Sequence, residues 1–154
     1  MDISVVLPCL NESETLGICI KKAKNQIKKL GIKGEIIIAD NGSDDGSIKI
    51  AKKLGATVIN VKNKGYGNVL RAGIRKARGK FILIADSDDS YNLNDLPKFY
   101  KKITKGYDIV QGCRLPKGGG KITSGAMPIT HRYIGNPLFS FLTKFLYKIP
   151  FNDV

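Results

Sequence analysis

The chain has 154 residues, with 26 Lys and Arg against 13 Asp and Glu, a net charge of +13. That length gives one domain with a buried core, and 42% hydrophobic residues exclude a disordered tail or a collagen-like repeat. The most apolar stretch, Pro137 to Ile149, carries Lys144 and falls short of the roughly 20 apolar residues of a membrane span. The start, Met1-Asp2-Ile3-Ser4, has no basic n-region or cleavage site and reads as the approach to a strand, not a secretory signal. Cys9, Cys19 and Cys113 have spacings that suit neither zinc nor a redox pair, so packed, reduced thiols in a cytoplasmic protein are expected.

The periodicities alternate along the chain. Ile3–Leu7 is a β-branched run stopped by Pro8. A helix follows, with Leu16, Ile20, Ala23, Ile27 and Leu30 on one face, Asn11 and Glu14 as candidate caps and Gly31 at its end. Glu35–Ala39 is nearly continuous in apolar residues, as a parallel strand covered on both faces requires. A short helix (Ile48, Ala51, Leu54) with Ser43 as its candidate cap leads to a third strand, Ala56–Val61. Val69, Leu70, Gly73, Ile74 and Ala77 mark the next helix, and Lys80–Ala85 the fourth strand. Leu96, Phe99, Tyr100 and Ile103 predict a further helix, and Tyr107–Gly112 a fifth strand. After a basic Gly-rich loop, 117–121, a last helix is expected from Pro137. Its apolar stripe (Leu138, Phe139, Leu142, Phe145, Leu146, Ile149) suits either a membrane interface or packing on the sheet.

Strand and helix in strict alternation predict an α/β fold: a mainly parallel, Rossmann-like open sheet with helices on both faces. Ligands of such sheets bind beyond the carboxyl ends of the strands. Asn11 and Glu12 after the first strand, Asp40 at the end of the second, Asp86 at the end of the fourth and Arg114 after the fifth are all expected on that edge.

Six of the 13 acids, Asp40, Asp44, Asp45, Asp86, Asp88 and Asp89, sit in two short segments of a lysine-rich chain. Residues two apart in an extended segment face the same way, so Asp86 and Asp88 can share one ligand. Two adjacent carboxylates repel unless a proton or cation lies between them, and a hard oxygen pair suits Mg²⁺ or Mn²⁺. The alternative is a solvated turn in which Asp88 or Asp89 caps the next helix. Asp40 is the acid of its segment left for a ligand, because Asp44 and Asp45 suit the positive end of a helix. In Lys64-Gly65-Tyr66-Gly67 the glycines let backbone approach a ligand and Lys64 can meet a phosphate. Leu70 occupies the place of the third glycine of a dinucleotide fingerprint, and Ile122 the hydroxyl position of a P-loop, so neither motif is present. His131 has no zinc-ligand neighbours, whereas Arg114 and Arg132 are suited to grip a phosphate. A basic nucleic-acid module fits the charge but not the carboxylates, the scarce aromatics or the absence of a recognition motif, so no nucleic-acid partner is expected.

Taken in order, Pro8-Cys9-Leu10-Asn11-Glu12, Asp40-Asn41-Gly42-Ser43-Asp44-Asp45-Gly46-Ser47, Lys64-Gly65-Tyr66-Gly67 with Arg71-Ala72-Gly73, Asp86-Ser87-Asp88, and Gly125–Pro128 with His131–Asn136 resemble the motifs of family 2 glycosyltransferases of the GT-A fold. The last of them resembles the polyprenyl- or dolichyl-phosphate mannose and glucose synthases in particular. The resemblance implies inverting, metal-dependent transfer of a hexose from a GDP- or UDP-sugar to a polyprenyl phosphate. A related alternative is transfer to a sugar hydroxyl in glycan assembly. It implies that Pro8, Asn11, Glu12, Asp40, Lys64, Gly65 and Asp86 meet the donor, that Asp86 and Asp88 hold Mg²⁺ or Mn²⁺, and that Arg114 and Arg132 receive the acceptor phosphate. Asp88, Arg114 and Arg132 would be the catalytic set, working peripherally on the cytoplasmic membrane face. Two departures stand out. Asn41 replaces the usual second aspartate, and the chain stops at Asn152-Asp153-Val154, where the family continues toward a Gly-x-Arg segment. The expectation is the amino-terminal part of a longer enzyme, with donor and metal binding but little turnover.

Overall fold

The computed structural model describes residues 1–113 and 130–147, and the chain divides into two compact units, Met1–Asp108 and Ile109–Val154. The first unit is a four-stranded sheet of order β3-β2-β1-β4, with β1 Ile3–Cys9, β2 Gly34–Asp40, β3 Thr57–Asn60 and β4 Phe81–Ile84. Every pairing is parallel. The connections are α1 Leu16–Lys29, α2 Ser47–Lys53 and α3 Tyr66–Lys76, and β4 leads through a 3₁₀ turn, Leu93–Asp95, into α4 Leu96–Ile103.

One face of the sheet carries the main core. Val5, Leu7, Ile36 and Ile38 meet Leu16, Ile20 and Ala23 of α1, Ala51 of α2 and Leu96 of α4. The other face lies under α3, which packs on β1 and β2. Contact there is so close that a Cβ on Gly73 would stand 2.4 Å from Val6 Cγ1, so the position admits only hydrogen. Because α3 reaches no further, Ile82 and Ile84 of β4 remain 41% and 42% exposed. Ser4, fully buried on this face, is satisfied: its hydroxyl donates to Glu35 (2.8 Å) and accepts from the Gly79 amide (2.8 Å).

Strand β1 runs through Pro8 instead of stopping at Leu7. The ladder with β4 covers only Ile3–Val6, whereas that with β2 reaches Cys9. Val6 accepts from Ala85 on the β4 side, and by alternation Pro8 faces that side too, where its missing N–H forfeits no ladder bond. The predicted caps are corrected. Helix α1 begins after Thr15, not at Asn11 or Glu14, and Ser43 does not cap α2; there the Asp45 carboxylate accepts from the Ser47 amide (3.0 Å). The predicted fifth strand is absent from the described residues: 107–112 form no ladder, and Tyr107 and Ile109 are 57% and 60% exposed. An apolar alternation supplies a face to bury, but a strand also needs an edge to pair with.

In the second unit, a helical turn, His131–Gly135, precedes α5 Asn136–Tyr147, in line with the start expected near Pro137. Its apolar stripe is exposed, from 38% at Leu142 to 73% at Phe145, and Phe141 stacks on Phe145 at 6.3 Å. No helix among the described residues is long and apolar enough to cross a membrane.

Candidate active site

Four loops leave the carboxyl ends of the strands, and side chains tie them together. The loop after β1 is bonded to the one after β2: the Asn11 amide donates to Ser43 Oγ (2.9 Å), the Asp44 amide to Asn11 Oδ1 (3.0 Å), the Glu12 amide to Ser47 Oγ (2.9 Å) and the Ser13 amide to Asp45 Oδ2 (2.8 Å). The Ser47 hydroxyl, foremost, holds the Asp45 carboxyl well below the usual carboxylate range, against some burial, with the Ser47 and Ser13 amides assisting. Asn41 ties the second loop to the one after β3. Its Nδ2 donates to the carbonyls of Val61 (3.0 Å) and Asn63 (3.2 Å), while its Oδ1 accepts from the Gly65 amide (3.0 Å). Lys64 Nζ donates to the Asn41 carbonyl. An aspartate at this position could make only the accepting bond, which accounts for the amide found here.

The loop after β4 is fastened by Ser87, whose hydroxyl donates to the Pro8 carbonyl (2.6 Å) and whose carbonyl accepts from Thr15 Oγ1 (2.8 Å). Asp89 adopts φ +61° and pairs with Lys22 (2.8 Å), so it serves α1 and not the next helix. Asn11 is the other non-glycine residue at positive φ among the described residues, +58°. Uncommon backbone at both loops is held by the side-chain bonds around it, a pattern concentrated at functional sites.

Between these loops opens a cavity of about 440 Å³. Pro8, Leu10 and Glu12 line it from the end of β1, Asn41 from β2, Lys64, Gly65 and Tyr66 from the start of α3, and Asp86 and Asp88 from the end of β4. Gly65, at φ +116°, makes the turn that brings Lys64 and Tyr66 to the same rim. Six of the expected site residues, Pro8, Glu12, Lys64, Gly65, Asp86 and Asp88, are thus brought together from separate loops. Asn11 and Asp40 do not line the cavity. Asp40 is fully buried, its carboxylate accepting from the Gly42 (2.9 Å) and Ser43 (3.1 Å) amides, so it shapes the loop behind the site. Arg114 lies outside the described residues, as does the side chain of Arg132.

Among the described residues, no three His, Cys, Asp or Glu side chains form a cage for a metal. The paired carboxylates of Asp86 and Asp88 fit a different kind of site, an open one. Mg²⁺ and Mn²⁺ are often bound by one or two carboxylates, with water and substrate phosphate completing the shell. Asp88 is suited to hold a cation: hydrogen bonding by Ser90, from both its side chain and its amide (2.9 Å), lowers its pKa against the effect of burial. Asp86 Oδ1 accepts from Tyr66 Oη at 2.9 Å. Burial, then that carboxylate, pushes the Tyr66 hydroxyl up to about 12, so it stays a donor. Sequence reasoning missed Tyr66 and Asn41 as site residues. The only signal for Tyr66 was its position between two glycines at a helix start. Burial, above all, raises the pKa of the Cys9 and Cys19 thiols, consistent with packing roles.

Comparison with known proteins adds the identity that geometry alone leaves open. The chain is 39% identical over 145 residues to a low-salt glycan biosynthesis hexosyltransferase of Haloferax volcanii, across 94% of this chain and 33% of that protein. It is 32% identical over 152 residues to a dolichyl-phosphate hexose transferase of the same organism, across 99% of this chain and 62% of the relative. It therefore spans from a third to under two thirds of the length of these relatives. Among solved structures, it is similar to the glucosyl-3-phosphoglycerate synthase of Mycobacterium tuberculosis in complex with Mn²⁺, UDP-glucose and phosphoglyceric acid. The TM-score is 0.56 at 26% identity, over 68% of this chain and 40% of that one. The parallel sheet is thus of the GT-A type that the motifs implied. The model of glycosyl transferase family 2 matches residues 4–151, every loop of the cavity included, and to that family this chain belongs.

Proposed function

We propose that this chain carries the donor site of a hexosyltransferase that moves a sugar from a GDP- or UDP-hexose to a polyprenyl or dolichyl phosphate with inversion. The observation that carries the reading is one cavity with Asp86 and Asp88 on one rim and Lys64 on another, at the carboxyl edge of a parallel sheet. Pro8 and Glu12 meet the nucleoside. Lys64 turns its ammonium from the Asn41 carbonyl toward the diphosphate. Asp86 and Asp88 hold Mg²⁺ or Mn²⁺, and Tyr66 orients Asp86. The bound cation supplies charge neutralisation for the departing nucleoside diphosphate. Arg114 and Arg132 receive the acceptor phosphate, which is already anionic and needs little help from a general base. The exposed apolar stripe of α5 supports a peripheral membrane surface as partner. The dolichyl-phosphate relative supports the lipid acceptor, and the solved Mn²⁺ and UDP-glucose complex supports the donor and metal. The glycan-biosynthesis relative favours a second reading, transfer to a sugar hydroxyl.

Thermal unfolding with GDP-mannose, UDP-glucose and ATP, each with and without Mn²⁺, tests the donor site. A ligand at a hundred times its Kd adds about 2.7 kcal/mol to stability. One sugar nucleotide should raise the midpoint only with metal, and Asp88→Ala should abolish the shift. No shift with any of the three, in a chain that remains folded, overturns the reading. Transfer of labelled hexose to dolichyl phosphate, compared with transfer to an oligosaccharide, separates the two acceptors.

A further inference from the structure

A second and larger cavity, about 610 Å³, opens on the far side of the loop between β3 and α3. Asn68, Arg71, Ala72 and Arg75 follow i, i+3, i+4, i+7, so one stripe of α3 forms a wall of it, opposite the stripe of Val69 and Gly73 that is buried on the sheet. The other wall is the end of the edge strand and its continuation to Asn63. The Val61 amide donates to the Asp40 carbonyl, so alternation turns the amides of Asn60 and Lys62 away from the sheet.

The composition of this groove is one-sided. Lys62, Arg71 and Arg75 line it, and among the described residues no Asp or Glu does. None of the three cations is in an ion pair among the described residues, where the pairs are Lys22–Asp89, Arg78–Glu35 and Lys98–Asp95. Like charges one turn apart on a helix destabilise it, and nothing in the groove offsets Arg71 against Arg75. Between the cations, Ile59, Val61 and Ala72 contribute half-buried apolar lining. Two guanidinium-bearing side chains and a lysine that line one groove beside an apolar strip complement a doubly charged oxyanion carried on an apolar body. We infer that this groove is a second phosphoryl-binding site, separate from the donor cavity, for a phosphate group borne by an amphiphile or free in solution. The inference does not rest on the glycosyl-transfer reading, since none of Lys62, Arg71 and Arg75 lines the donor cavity.

The test uses the whole chain and three probes: phosphatidic acid vesicles against phosphatidylcholine vesicles in sedimentation, inorganic pyrophosphate in titration calorimetry, and a single-stranded oligonucleotide. The variant is Lys62→Gln with Arg71→Gln and Arg75→Gln. Its control loses the same charge from α1, through Lys21→Gln, Lys28→Gln and Lys29→Gln. Circular dichroism and the unfolding midpoint verify that both fold. The groove variant should lose at least about tenfold in affinity while the control stays within about twofold. If the loss is confined to vesicles, the phosphate is a lipid head group; if pyrophosphate binds, shows the same loss and displaces vesicles, it is a free phosphoryl group. Equal loss in both variants shows net charge acting without a site and overturns the inference. So does unchanged binding of vesicles and pyrophosphate, or selective loss for the oligonucleotide alone.

Discussion

Single side chains decide how the cavity at the carboxyl edge of the sheet is held. Asn41, 6% exposed, both donates and accepts, so Asn41→Asp removes two hydrogen bonds and turns a carboxylate toward the carbonyls of Val61 and Asn63. That exchange should cost about 2 kcal/mol in urea unfolding, although it would restore the residue the family pattern leads one to expect. Tyr66→Phe removes the hydrogen bond to Asp86, the metal ligand proposed above, and partners that orient a metal ligand are worth about 10- to 100-fold in affinity. The variant should therefore need at least about tenfold more Mn²⁺ for the donor-dependent thermal shift, with the midpoint of the free protein unchanged. Glu35 supplies a pH dependence. Burial opposes its charge, but hydrogen bonds from the Arg78 and Ser4 side chains and the Arg78 amide prevail and hold its pKa at about 2, against an ordinary 4.5. A carboxylate with a depressed folded-state pKa binds fewer protons folded than unfolded. Its stabilisation is complete above about pH 4.5 and disappears as pH falls toward 2. Over that interval the unfolding midpoint should drop more steeply in the parent chain than in Glu35→Gln.

At the level of elements, the closest approach is α3 on β1. Gly73→Ala forces a methyl into Val6, and overpacking of this kind costs about 1–3 kcal/mol. The loss should show as a lower unfolding midpoint, and Val6→Ala in the same chain should recover part of it by making room. The same elements show what a sequence conveys about its fold. All four observed strands and the first four helices were legible, because continuous apolar runs and 3.6-residue stripes are local consequences of being covered on two faces or one. The end of β1 was misread because Pro8 is tolerated only through the early end of the β4 ladder, a fact about a neighbour 79 residues away. The fifth strand was misread for the complementary reason, its alternation finding no partner among the described residues. Within the cavity, the placement of Glu12, Lys64, Asp86 and Asp88 on one edge was legible, since each directly follows a segment that reads as a strand or opens a helix. Tyr66 and Asn41 were not, because their roles consist of bonds to other loops. Asp40 illustrates the converse: the sequence shows an acid at the correct edge but not that backbone amides already occupy it.

For the molecule as a whole, charge is the dominant fact. With a net charge of +13, and three ion pairs among the described residues, the surface repels itself. Raising NaCl from about 20 to about 300 mM, over which the Debye length falls severalfold, should therefore raise the unfolding midpoint. A midpoint that falls instead would mean that attractive pairs outweigh the repulsion.

The hydrogen bonds that join Asn11 to Ser43 and Asp44, Glu12 to Ser47 and Ser13 to Asp45 span 32 to 35 residues of chain, yet they sit side by side. What reads along the chain as two separate signatures is, in space, a single object with two halves. Drift is constrained accordingly. A lineage that replaces Ser43 by a residue without a hydroxyl strands the Asn11 amide. One that replaces Asn11 by glycine keeps the backbone turn but releases Asp44. Substitutions in the two segments should thus be inherited in matched sets, and a chimera that takes its first loop from one relative and its second from another inherits a mismatch that neither parent contains.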